Sequence, residues 1–110
     1  INEKKPDLEV KEERTNKKKK EELEKGVIFK VQIATSSKKI ALKPENFKGV
    51  KDVTIYEAGG LYRYTVGREA NMTDANRLQV HLRANGFEDA FVVAFSDGKR
   101  VSISKALQLQ

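Results

Sequence analysis

The change of texture at Gly26 constrains this chain more than any other feature. Between Ile1 and Lys25 stand nine basic and eight acidic residues, and the large apolar ones are Ile1, Leu8, Val10 and Leu23 alone. Burial of so little apolar surface cannot offset the entropy of ordering the segment, so residues 1–25 are expected to form a charged, flexible linker. The Lys17 to Lys20 run followed by Glu21, Glu22 and Glu24 allows a transient helix, capped at Thr15 or Asn16 and held by charge pairs three or four residues apart. All the material for a core lies in residues 26–110, which suffices for one small domain of modest stability. The chain starts on Ile1 rather than methionine, which points to a fragment of something longer.

Of the formal charge of +6, five units belong to the domain and are spread thinly along it, a mild surface bias rather than a nucleic-acid footprint. The absence of cysteine excludes a disulfide framework, a thiol nucleophile and cysteine-ligated metal in this chain. With His81 as the single histidine, no histidine metal cluster can be assembled. No run of about 18 apolar residues is present, so membrane insertion is not expected. Asp74 reads as a helix N-terminal charge, Asp97 as a turn former and Glu88-Asp89 as loop, rather than as acids or bases. Gly59-Gly60 has neither the lysine nor the strand-to-helix context of a phosphate loop. Neither catalysis nor a cofactor is therefore expected of this chain.

From Phe29 the sequence alternates with period two, and Phe29, Val31 and Ile33 face a core while Lys30, Gln32 and Ala34 face away. Ser36 to Lys43 predicts a short or broken helix that Pro44 stops. Val53 to Tyr56 and Leu61 to Val66 flank Glu57-Ala58-Gly59-Gly60 and predict a hairpin with a four-residue loop, in which Tyr56 opposes Leu61 and Thr54 opposes Arg63. Its heavier face, Val53, Ile55, Tyr62, Tyr64 and Val66, is the expected core side. Thr73 to Gly86 has a threonine cap, an acid in the first turn and a terminal glycine, with Ala75, Leu78 and Leu82 as its apolar stripe and Phe87 folded back on Leu82. Ala90 to Phe95 predicts a buried strand, Ser96 to Lys99 a turn, and Arg100 to Gln110 a short strand passing into a helix capped at Ser102 or Ser104. Burial is expected of all five phenylalanines, Phe29, Phe47, Phe87, Phe91 and Phe95.

This order gives an α+β fold of the ferredoxin-like or ribonucleoprotein-like βαββαβ kind. It has a four-stranded antiparallel sheet, two helices on one face and a short C-terminal extension at 99–110. The other sheet face is then open to water and carries Lys30, Gln32, Ala34, Thr54, Tyr56, Leu61, Arg63 and Thr65. An amide, hydroxyls and a guanidinium beside an apolar platform of Tyr56 and Leu61 suit a polyhydroxylated ring, with hydrogen bonds at its rim and C–H packing on its face.

The segments Phe29-Lys30-Val31-Gln32-Ile33-Ala34-Thr35, Leu61-Tyr62-Arg63-Tyr64-Thr65-Val66-Gly67 and Ala75 to Phe95, with Asn85-Gly86-Phe87 at its corner, resemble in order and spacing the SPOR (sporulation-related repeat) domains of bacterial envelope proteins. The resemblance covers Gly26 to about Gly98. It implies a non-catalytic module that binds peptidoglycan glycan strands stripped of stem peptides, in the periplasm or cell envelope at the septal wall during cell division. The family's first-strand glutamine and the hydroxyl three residues on fall on Gln32 and Thr35, and its third-strand aromatic falls on Leu61, a departure that weakens stacking unless Tyr56 supplies the ring. The glycan-binding set implied is Lys30, Gln32, Thr35, Tyr56, Leu61, Arg63 and Thr65. Ala34-Thr35 replaces a common glycine-serine pair, and Arg68 stands where proline often follows Gly67.

The charged leader and the Asp97-Gly98-Lys99-Arg100-Val101-Ser102 tail also resemble the C-terminal end of N-acetylmuramoyl-L-alanine amidases from Bacteroides-like bacteria. That implies an upstream zinc hydrolase domain outside this chain and a monomeric targeting module that tethers it to the wall. Two other readings share the strand order. One is an RNA-binding module, whose signature of two or three aromatics on central strands is poor here, so nucleic acid is not the expected partner. The other is a protein–protein interaction module.

Overall fold

The computed structural model describes residues 25–110, and the linker and transient helix expected before Lys25 lie outside them. Five strands, β1 (Val27–Ser36), β2 (Thr54–Ala58), β3 (Leu61–Glu69), β4 (Phe91–Ser96) and β5 (Lys99–Val101), form one antiparallel sheet in the order β2-β3-β1-β4-β5. Helices α1 (Met72–Ala84) and α2 (Ile103–Leu109) complete the α+β fold. The strand count exceeds the expected four because the Asp97-Gly98 turn, with both residues at positive φ, folds β5 back on β4 and pairs Ser96 with Lys99 and Ala94 with Val101. A clasp fixes this turn to the start of the domain: Gly26 N–H donates to Asp97 Oδ1 at 2.7 Å and Asp97 N–H to the Gly26 carbonyl at 2.9 Å.

The expected first helix does not form. Pro44 keeps Lys43 extended at φ −103° and ψ 139°, which leaves too few residues after Ser36 to repay helix nucleation. The segment runs instead as an irregular strap into a single 3₁₀ turn, Pro44–Phe47, with proline at its start. Tyr64 anchors the strap: its hydroxyl accepts from the Ile40 N–H at 2.7 Å, and its ring lies 5.2 Å from that of Phe47. The role of a crossover helix in covering the core thus falls to a strap.

Helix α1 is capped two residues earlier than its sequence punctuation suggests. Asn71, not Thr73, is the cap, its Oδ1 accepting from the Asp74 N–H at 2.9 Å. At the other end Gly86 sits at φ +104°, Phe87 N–H returns to the Leu82 carbonyl at 3.0 Å, and both side chains are buried together, as expected. Ala75 and Leu82 are buried on the predicted stripe. Ser102 caps α2, accepting from the Lys105 N–H at 3.0 Å.

The core lies between one sheet face and the two helices. Val31, Phe47, Val53, Tyr64, Leu82, Phe87 and Ala90 form its larger cluster, and Phe29, Ala75, Ala94 and Ala106 the smaller, so α1 and α2 share a face. Gly67 lets α1 approach β3: at φ +93°, a Cβ added there would overlap Leu78 Cδ2.

In the β2–β3 hairpin, β2 runs two residues further than expected, to Ala58, while β3 still begins at Leu61. Ala58 pairs with Leu61, Tyr56 with Arg63 and Thr54 with Thr65, leaving a two-residue loop of Gly59 and Gly60, both at positive φ. That is the pattern of a type I′ turn, whose twist suits the flanking strands better than a four-residue loop. The slip of two residues preserves which face each side chain takes, so Tyr62, Tyr64, Ile55 and Val53 still face the core.

Candidate functional site: the concave sheet face and its mouth

Two register shifts in the β1–β3 ladder decide what the second sheet face presents. Val31 pairs with Val66 and Gln32 with Thr65, whereas Ala34 pairs with Tyr64 and Thr35 with Arg63. One extra residue of β1 is therefore accommodated at Ile33, and the facing phase reverses beyond it. Ile33 and Ala34 both pack toward the helix-side core, so Ala34 is not outward as simple alternation predicts. Thr35 returns to the face of Gln32. The glutamine and the hydroxyl three residues on, which have opposite parity in the sequence, end on one side because of the bulge.

This face is not the open plane that the sequence predicts. Tyr56 on β2 and Phe95 on β4 are three strands apart, about 14 Å in a flat sheet, yet their rings meet edge to face with centroids 5.1 Å apart. The sheet curls, as bulged and strongly twisted sheets do, and its inner surface becomes a concave second core. Lys30 is 4% exposed, with Nζ 5.0 Å from the Phe95 ring centroid. Thr65 is 1% exposed, and its hydroxyl is 2.7 Å from that of Thr54. Both residues were expected on an accessible surface, and both are interior.

Gln32 is also buried, at 4% exposure, and its Oε1 accepts from the Tyr56 hydroxyl at 2.8 Å. Its Nε2 has no acceptor among the described residues. Buried donors are nearly always paired with protein or water, so this amide is open to water or a ligand at the cleft. Gln32 lines a cleft of about 300 Å³ together with Ile33, Ala34, Thr35, Asp89 and Phe91.

The remaining expected residues divide between the rim and the hairpin. Thr35 is exposed. Arg63 is half-buried beside it across the ladder, and its Nε donates to the Ala58 carbonyl at 3.1 Å. Tyr56 and Leu61 do not form the expected platform, because Tyr56 faces Arg63 while Leu61 faces Ala58, and the Tyr56 ring is turned toward Phe95. The residue missed by sequence reasoning is Phe91: expected to be buried, it is 42% exposed at the mouth of the cleft. Its shared parity with Val93 and Phe95 places it on the concave side, but only the pairing with Gln32 reveals that it ends there, at the open edge.

Elsewhere, His81 is exposed and its Nε2 lies 3.1 Å from the Asn85 amide. Among the described residues no group of three or more histidine, cysteine, aspartate or glutamate side chains stands together, and no helix is long and apolar enough to cross a membrane. Comparison of the chain with protein-family models, with curated proteins and with solved structures finds no match.

Proposed function

We propose that this domain is a glycan-binding module of the bacterial cell wall, which docks through the mouth of its concave sheet face onto peptidoglycan strands stripped of peptides. The observation that carries this reading is the Gln32 side chain: buried, oriented by Tyr56 through its carbonyl oxygen, and with an amide donor that has no acceptor among the described residues, at a cleft that also holds an exposed hydroxyl and an aromatic ring. Sugar polymers supply what such a cleft lacks, namely many acceptors around rings whose C–H faces pack on aromatics. The strand order β2-β3-β1-β4 agrees with a ferredoxin-like plan carrying one added edge strand, and the SPOR resemblance of the segments that carry Gln32 and Thr35 points the same way.

On this reading the binding set contracts to Gln32, Thr35 and Arg63 at the mouth. Tyr56 acts as the group that orients Gln32, while Lys30 and Thr65 build the floor. The module performs no chemistry; it raises the concentration of an attached wall enzyme, such as an amidase, at septal peptidoglycan in the envelope.

Co-sedimentation with purified murein sacculi before and after amidase digestion tests this. Pelleting that increases after stem peptides are removed is expected. Failure to pellet with either preparation would remove the reading, and the RNA-binding and protein-binding alternatives would take its place.

A further inference from the structure

Asn85 is the only asparagine in the chain that a glycine follows. That pairing carries its own chemistry. Because Gly86 has no side chain, its backbone nitrogen is unhindered as a nucleophile toward the side-chain carbonyl carbon of Asn85. Asn46, Asn71 and Asn76 are followed by Phe47, Met72 and Arg77, which shield the corresponding nitrogens. His81, Asn85 and Gly86 are all exposed, so water reaches the corner. The fold nevertheless holds the reacting atoms apart. Asn85 ends α1 at φ −97° and ψ 19°, which turns the Gly86 nitrogen away from the side chain, whereas closure of a five-membered ring needs the two eclipsed about the Cα–C bond. The side chain is tied as well: Nδ2 donates to the His81 carbonyl at 3.0 Å and lies 3.1 Å from His81 Nε2. Gly86 donates its N–H to the Arg83 carbonyl at 3.3 Å, and its own carbonyl accepts from Lys48 Nζ. Lys48 Nζ also stands 4.9 Å from the Phe87 ring centroid, so one exposed side chain clips the end of the strap to this corner. Hydrogen bonds at exposed helix ends open far more readily than those of a core.

We propose that Asn85 is a deamidation site gated by the C-terminal end of α1, closed while the corner is intact and reactive whenever it frays. In the open corner the Gly86 nitrogen gives up its proton to water and forms a bond to Asn85 Cγ. The Cγ–Nδ2 bond then breaks, and Nδ2 takes a proton from solvent and leaves as ammonia. One water opens the resulting succinimide. Cleavage between Cγ and the Gly86 nitrogen yields aspartate, and cleavage between the Asn85 backbone carbonyl carbon and that nitrogen yields isoaspartate. One water is consumed and one ammonia released, with no change of oxidation state. Neither product fits the corner that Asn85 closes. A carboxylate has no donor for the His81 carbonyl and stands at the negative end of the helix. Isoaspartate also adds a carbon to the main chain, which upsets the return of the Phe87 N–H to the Leu82 carbonyl. The change is therefore one-way: a corner that has reacted recloses less well, and Phe87 loses part of its anchorage on Leu82. The site is independent of what the domain binds.

Ageing the full chain in mildly alkaline buffer, folded and in urea, with peptide mass spectrometry that separates aspartate from isoaspartate, tests the gate. Conversion is expected at Asn85 ahead of every other asparagine, and at least about tenfold more slowly in the folded chain than in urea. Lys48→Ala removes the exposed clip and should speed the folded reaction about threefold to tenfold, beyond any shift in its urea midpoint, while leaving the rate in urea unaltered. A folded rate equal to that in urea, or a Lys48→Ala rate that merely follows its urea midpoint, would overturn the gate at this corner. Absence of conversion at Asn85 in both states would overturn the site itself.

Discussion

Gln32 has one structural role and one proposed role in binding, and its variants can separate them. Its Oε1 takes the Tyr56 hydroxyl inside the concave face, so Gln32→Ala removes a hydrogen bond and leaves that hydroxyl to find another partner. A loss of about 1 to 2 kcal/mol in urea unfolding is expected, contrary to the thermally silent change that an exposed side chain would give. Tyr56→Phe should cost a comparable amount in stability while keeping the Nε2 donor, so its sacculus binding should fall less than that of Gln32→Ala. Equal binding losses in the two variants would mean that the amide contributes only through the fold. Gly67 is the second residue on which the fold turns. Gly67→Ala meets both a positive φ and an overlap with the Leu78 methyl, and about 2 kcal/mol or more of destabilisation is expected in urea unfolding. Adding Leu78→Ala should recover the steric part only, and a double-mutant cycle reads the difference as coupling.

Among the elements, α1 has the largest apolar anchor. Leu82 is 3% exposed at the centre of the larger cluster and in contact range of Phe87, so Leu82→Ala should destabilise the domain by about 2 to 5 kcal/mol. The Asn71 cap should be worth about 1 kcal/mol against alanine, and Thr73→Ala much less, since Thr73 does not cap the helix. The Gly59-Gly60 turn offers the reverse experiment. Asparagine is favoured at the first position of a type I′ turn, so Gly59→Asn should leave unfolding unchanged or raise its midpoint, while Gly60→Val should lower it, β-branched residues being strongly disfavoured at φ +77°. The same turn chemistry at Asp97-Gly98 explains why the chain adds a fifth strand without lengthening its loops.

For the whole molecule, the uneven use of the two sheet faces is decisive. One face is buried by α1, α2 and the strap ending at Phe47; the other curls on itself around Phe95, Tyr56 and Lys30. On the proposed reading, binding would be confined to a mouth with one guanidinium and one carboxylate near it, rather than spread over a basic plane. Glycan binding should accordingly change little between 50 and 200 mM salt, whereas a phosphate-tracking RNA module loses about 10³ or more in affinity over that range. Measuring sacculus and single-stranded RNA binding against salt distinguishes the two.

Local chemistry was sufficient for much of this architecture. Alternation marked β1, β2 and β3; the Asn85-Gly86-Phe87 corner and the Ala75, Leu78, Leu82 stripe marked α1; and the choice of core side for the hairpin followed from Tyr62, Tyr64 and Val66, because these signals depend on neighbours a few residues apart. Pro44 likewise announced a break, although not that the whole crossover helix would give way to a strap pinned by Tyr64. What depended on distant partners could not be read in the same way. The bulge at Ile33 exists only in the pairing of β1 with β3, and it alone brings Thr35 to the side of Gln32. The curl exists only when bulged strands are assembled into one sheet, and it buries Lys30, Gln32 and Thr65 while leaving Phe91 at the rim. The sequence by itself determined the strands, helix α1 and the side of the hairpin that faces the core; the tertiary structure decided which side chains water can reach, because accessibility is a property of the assembled sheet rather than of any strand within it.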